Sequence, residues 1–136
     1  METWPTGRLL STAARLVEHA WLEALEARGL THAGMIALHF LDAGPLTQSD
    51  LARMAKVENQ TMSRTVERLE RSGFVERRAD DADRRRQIVT RTPAGDAAWA
   101  STRSLESEVF PALDDSERMR AGLLEIIRRS SERRWK

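Results

Sequence analysis

Apolar side chains recur at Leu10, Ala14, Val17, Trp21 and Leu25, with a second lane at Leu9, Ala13, Leu16, Ala20 and Ala24. Steps of three and four are the period of an α-helix, so Arg8 to Ala27 is expected to be helical. Two lanes make a stripe wider than one neighbour in a small domain covers, which predicts that part of this helix is buried against another chain. Thr31 can cap a second helix, His32 to Leu41, which stops before Gly44-Pro45. "TQSD", Thr47 to Asp50, resembles a capping box with Asp in place of Glu or Gln, and a short helix through Met54 follows. After "KVEN", Met62, Val66 and Leu69 mark one side of a helix from Asn59 to Ser72, and Gly73 is placed to end it in a left-handed turn. Two helices joined this tightly are a helix-turn-helix candidate.

Phe74 to Ala79 and Gln87 to Thr92 are rich in strand-favouring Val, Ile, Thr and Phe and are expected to pair as a hairpin. Thr92 can cap a further helix with Pro93 at its first position, where the missing N–H costs nothing; this helix is expected to run to Phe110, where Pro111 interrupts it. Asp114, Asp115 and Ser116 can cap a last helix carrying Met119, Leu123, Ile126 and Ile127 along one face. The fold class is therefore mainly α with a small β-hairpin, an α+β arrangement.

At 136 residues the chain holds one domain with a real core. It contains no cysteine, which excludes disulfides, thiolate metal sites and cysteine nucleophiles. No apolar run approaches the roughly 20 residues that span a bilayer, and "METWPTGRLL" lacks a signal-like apolar core, so no membrane association and a cytoplasmic location are expected. The net charge of +1 hides an uneven distribution. Leu51 to Thr92 carries eleven Lys or Arg against seven Asp or Glu, a surplus of four, which leaves −3 for the remainder. The positive charge sits on the helix-turn-helix and hairpin.

On a wheel with Met62 at zero, Val66 and Leu69 fall within about 40 degrees of it. Gln60, Arg64, Glu67 and Arg71 lie opposite, at about 140 to 200 degrees, flanked by Thr61, Ser63 and Arg68. A helix of this diameter fits the major groove of B-form DNA, its N-terminal half meeting base edges and later positions meeting phosphates. Asn59, Gln60, Thr61, Ser63 and Arg64 suit base contact, and Arg68 suits phosphate. The hairpin tip, with Arg84, Arg85 and Arg86, would project toward the neighbouring minor groove, which attracts arginine where it is narrow. Asp80, Asp81 and Asp83 are expected to hold some of these arginines by charge-assisted hydrogen bonds. A plain solvated face, with Glu67 and Arg71 forming an i,i+4 pair, is the competing reading of the same helix.

"LTQSDLARMAKVENQTMSRTVERLERSGFVERRADDADRRRQIVTRTPAG" resembles the MarR family of winged-helix transcription regulators, above all in "RLERSGFVERR", "D-x-x-D-R-R" and "T-P-x-G". The resemblance covers Leu46 to Gly95 strongly and the flanking helices more loosely. It implies a homodimer with interlocked first and last helices. The division would be an N-terminal dimerisation helix in 1–30, a winged helix-turn-helix in 31–92 and C-terminal dimerisation helices in 93–136. It implies double-stranded DNA as partner, a near-palindromic operator, and a wing Asp-x-Arg that falls here on Asp83 and Arg85. Members commonly repress genes and release DNA when a small aromatic ligand binds. Without cysteine, the family's peroxide-sensing branch is not an option.

Other chemistry finds little footing. The seven glycines form no phosphate-cradling loop, and no nucleophile, acid–base pair or cofactor motif is apparent, so no catalytic residues and no cofactor are expected. His19, His32 and His39 are not spaced as a metal site, and none is expected. Trp21, Met35 and His39 are candidates to line an effector pocket, although helical spacing also suits them to the core. A winged-helix module that binds an acidic protein partner and not DNA remains the alternative function.

Overall fold

The computed structural model describes residues 1–134; the last two positions of the 93–136 segment lie outside them. Among the described residues, seven α-helices and three strands follow one another: α1 (Thr6–Glu26), α2 (His32–Phe40), β1 (Leu46–Thr47), α3 (Gln48–Ala55), α4 (Asn59–Arg71), β2 (Val75–Ala79), β3 (Gln87–Arg91), α5 (Pro93–Ser101), α6 (Leu105–Val109) and α7 (Ser116–Arg134). Three threonines set helix starts as expected. Thr31 accepts from the Gly34 N–H at 3.0 Å, Thr47 from the Asp50 N–H at 3.1 Å, and Thr92 from the Gly95 N–H at 3.0 Å. Each satisfies a backbone donor that the first helical turn leaves unpaired. The capping box is incomplete, because the Asp50 carboxylate turns to Arg53, 2.8 Å away.

Several expectations need correction. The helix expected over His32–Leu41 ends at Phe40 and tightens into a 3-10 turn over Leu41–Ala43. The helix expected from Pro93 to Phe110 is interrupted by a 3-10 turn at Thr102–Ser104. There the hydroxyls of Ser101, Thr102 and Ser104 donate to the carbonyls of Ala98, Trp99 and Ser101, competing locally with the helical ladder. The hairpin also gains a third strand, since Leu46 and Thr47 pair antiparallel with Val89 and Ile88 in a sheet ordered β1-β3-β2.

Leu25, Leu38, Leu51, Val66, Leu105, Val75 and Val89 are fully buried and draw α1, α2, α3, α4, α6 and the sheet into one core. This core fixes the root of the β2–β3 hairpin to α4. Gly73, at φ 80°, turns the chain sharply out of α4. The corner is closed by the Thr92 hydroxyl, donating to the Gly73 carbonyl at 2.6 Å, and by the Thr92 N–H, donating to the Phe74 carbonyl at 3.0 Å. α5 crosses this corner so closely that a Cβ on Gly95 would clash with the Phe74 carbonyl oxygen.

Apolar surface remains on the terminal helices. Leu16 on α1 is 69% exposed and Ile127 on α7 is 60% exposed, with Leu9, Leu22, Leu124 and Ile126 also open. Leu10, Ala14, Val17, Phe110, Met119 and Leu123 border a groove of about 560 Å³ between α1 and α7. Among the described residues, no helix is long and apolar enough to cross a membrane.

Candidate nucleic-acid interface

The face of α4 divides as the helical wheel requires. Met62, Val66 and Leu69 are buried, while Asn59, Gln60, Thr61, Arg64, Arg68 and Arg71 are exposed and Ser63 is half-buried. Among the described residues, no ion pair engages Arg64, Arg68 or Arg71. Glu67 does not form the i,i+4 pair with Arg71; its carboxylate approaches Arg77 at 3.9 Å. The helix therefore presents amide, hydroxyl and guanidinium groups without internal neutralisation, which suits them to acceptors on base edges and phosphates.

At the wing tip, Asp83 organises the turn. Its Oδ1 accepts from the Arg85 N–H at 3.1 Å and from Arg85 Nε at 3.2 Å, and its carbonyl accepts from the Arg86 N–H at 2.9 Å. The Arg85 side chain is nonetheless 92% exposed, so the pair steers the guanidinium without covering it. Arg84 and Arg86 are exposed as well. The roles expected of Asp80 and Asp81 need correction. Asp80 accepts from the Ala82 N–H at 3.1 Å, which shapes the loop, and neither aspartate pairs with an arginine among the described residues.

Two arginines that sequence reasoning missed hold this lobe together. Arg91, its side chain 13% exposed, donates to the Leu38 carbonyl at 3.0 Å, to Asp42 at 3.1 Å and to Asp96 at 2.7 Å. It thereby ties β3 to α2 and α5. Arg77, in the middle of β2, reaches Gln48 on α3 and Glu70 on α4. The available signal was strand alternation. Val75 and Val89 point inward, so Arg77 and Arg91, two residues away, point inward too, and a cation on an inward position requires carboxylate or carbonyl partners.

The three candidate pocket residues come together. Trp21, Met35 and His39 line a cleft of about 270 Å³ with Ile36, Trp99 and Arg103. His39 and Trp99 lie with ring centroids 5.1 Å apart at 52°, and the Trp99 indole N–H is buried without a hydrogen-bond acceptor among the described residues. His19 instead pairs with Glu23 at 3.0 Å, and His32 borders the α1–α7 groove.

A model of the MarR family matches residues 28–86, which run from just after α1 through α2, α3, α4 and β2 to the wing tip. The transcriptional regulator YwoH of Bacillus subtilis is 36% identical over 84 residues, covering 61% of this chain and 61% of YwoH. Over residues 28–86 the chain is similar to the MarR family. A second MarR-type relative, the transcriptional activatory protein BadR of Rhodopseudomonas palustris, is 33% identical over 94 residues, covering 66% of this chain and 54% of BadR. The chain thus spans less than two thirds of the length of either relative. Among solved structures, Bordetella bronchiseptica BpsR, whose DNA binding is regulated by 6-hydroxynicotinic acid, superposes with a TM-score of 0.71 at 25% identity, covering 93% of each chain. Both sequence relatives carry the names of transcriptional regulatory proteins. The mostly helical chain with its small antiparallel sheet has the family's winged helix-turn-helix fold.

Proposed function

We propose that this chain is a MarR-type regulator: a cytoplasmic, sequence-specific DNA-binding protein that acts as a homodimer on a near-palindromic operator. Asn59, Gln60, Thr61, Ser63 and Arg64 read base edges in the major groove, and Arg68 meets phosphate. Arg85, steered by Asp83, enters the adjacent minor groove with Arg84 and Arg86 beside it. The observation that carries this reading is the nearly complete exposure of Arg85 on a wing whose turn is built around its own aspartate. The unpaired guanidiniums on α4 support it further, because an acidic protein surface would not require arginine at both a helix face and a hairpin tip. The open apolar faces of α1 and α7 support self-association through residues 1–30 and 93–136 around a DNA-binding lobe in 31–92.

In this reading the Trp21, Met35, His39 and Trp99 cleft takes a small aromatic acid. Its ring would lie against the indoles and its carboxylate would reach Arg103. The regulator is a repressor, and ligand binding releases the operator. One experiment tests the whole reading: titration of operator-length duplexes from the DNA flanking the gene, and of scrambled duplexes, with and without 6-hydroxynicotinic acid. The expected result is tighter binding of one native duplex and its release by the acid, accompanied by quenching of tryptophan fluorescence. Equal affinity for native and scrambled DNA would favour the protein-interaction module. Unchanged fluorescence would remove the aromatic-acid reading of the cleft, and tightening by the acid would argue against ligand-relieved repression.

A further inference from the structure

We propose that Arg77 and Glu70 form a positioning brace that sets the distance between the recognition helix and the wing tip, so that Arg85 contributes to DNA binding only while the brace is intact. This inference rests on the DNA-docking reading above. Arg77 lies at the midpoint of β2, paired across the sheet with Val89, and its side chain is only 20% exposed. The Glu70 carboxylate holds it twice: Oε1 accepts from Nη2 at 3.3 Å, and Oε2 accepts from the Arg77 backbone N–H at 3.2 Å. Nη1 donates to Gln48 Oε1 at 3.2 Å, and Glu67 adds a looser contact at 3.9 Å. The guanidinium thus joins the first residue of α3 to the exposed flank of α4, while the same Glu70 carboxylate grips the main chain of the wing.

The geometry explains why such a joint matters. Beyond the two-residue β1 the wing is a two-stranded ribbon, which has little stiffness of its own. β2 continues two residues, about 7 Å, past Arg77 before the turn, at roughly 3.3 Å per residue. A tilt of about 10 degrees at Arg77 would displace the end of the strand by about 1 Å and the turn beyond it by more, enough to break a hydrogen bond to DNA. Holding the strand by both its side chain and its backbone amide suppresses that tilt. Arg77 contacts none of the residues proposed to meet DNA, neither those on α4 nor those at the tip, so its influence on Arg85 passes through the placement of the hairpin.

The test is a double-mutant cycle on the intact chain, with duplex affinity measured at one salt concentration for the wild type, Arg85→Ala, Glu70→Ala and the double variant. Arg85→Ala is expected to weaken the wild type about tenfold. In the Glu70→Ala background it is expected to weaken binding less than about threefold, because the tip is already misplaced. Glu70 is exposed, so its replacement leaves the fold intact, which thermal melting checks; Arg77→Met provides the companion variant from the other side of the brace. Charge alone predicts the opposite sign for Glu70→Ala, since removing a negative group near DNA should tighten binding. Tightening by Glu70→Ala, or an equal penalty for Arg85→Ala in both backgrounds, would overturn the brace. A silent Arg85→Ala in the wild type would instead overturn the docking reading itself.

Discussion

Gly95→Ala is expected to lower the melting temperature by about 10 °C, the equivalent of roughly 3 kcal/mol for a chain of this size. Helix propensity pulls the other way, because alanine is favoured over glycine by about 1 kcal/mol in a helix interior. The clash decides the sign: the added Cβ would press into the Phe74 carbonyl oxygen, far inside van der Waals contact. That oxygen belongs to a backbone already held by the Thr92 N–H and hydroxyl at the same corner, so it has no flexible side chain to yield. Relief requires α5 to lift away from the start of β2, which loosens the wing root together with the cleft behind it. The "T-P-x-G" stretch thus has a mechanical meaning, with Thr92 tying the corner and Gly95 letting the next helix cross it. A melting temperature equal to the wild type, measured by circular dichroism, would show that the crossing is less close than described.

Removing Met1–Ala27 is expected to yield insoluble or monomeric protein. The deletion takes away Leu25, which is fully buried, and the partly buried Trp21 and Ala24 that pack against the same core. It thereby exposes the α6 side that α1 covers. Each large buried apolar side chain contributes about 1.5 to 3 kcal/mol, so the core loses a substantial fraction of its stabilisation. The same deletion removes the open stripe on α1, and with it the surface through which two copies are proposed to associate. A monomer would address a single half-site, whereas an intact dimer spans two about one helical turn apart. Sedimentation of the truncated chain as a soluble dimer would contradict this account.

Features with a local cause were legible in the sequence. Thr31, Thr47 and Thr92 each cap within three residues, Gly73 supplies the left-handed turn, and the period of Met62, Val66 and Leu69 fixes which side of α4 faces out. Features that depend on distant partners were not. β1 has two residues and exists only because β3 lies alongside it. The break at Thr102 depends on hydroxyls choosing nearby carbonyls, a competition that composition does not resolve. Arg77 and Arg91 resemble ordinary solvated strand arginines until the fold supplies Gln48, Glu70, Asp42 and Asp96 from remote parts of the chain. The wing aspartates illustrate both cases: Asp83 contacts an arginine two residues away as expected, while Asp80 satisfies a backbone amide instead.

The central claim is that the outer face of α4 and the wing arginines engage adjacent grooves of one duplex, and binding of Arg64→Ala and Arg85→Ala to native and scrambled duplexes at one salt concentration tests it most directly. The account predicts that Arg64→Ala narrows the difference between native and scrambled DNA, since a guanidinium reading a base edge contributes roughly 1 to 3 kcal/mol of discrimination. It predicts that Arg85→Ala weakens binding through loss of a groove anchor. Duplex affinities unchanged by both substitutions would contradict it.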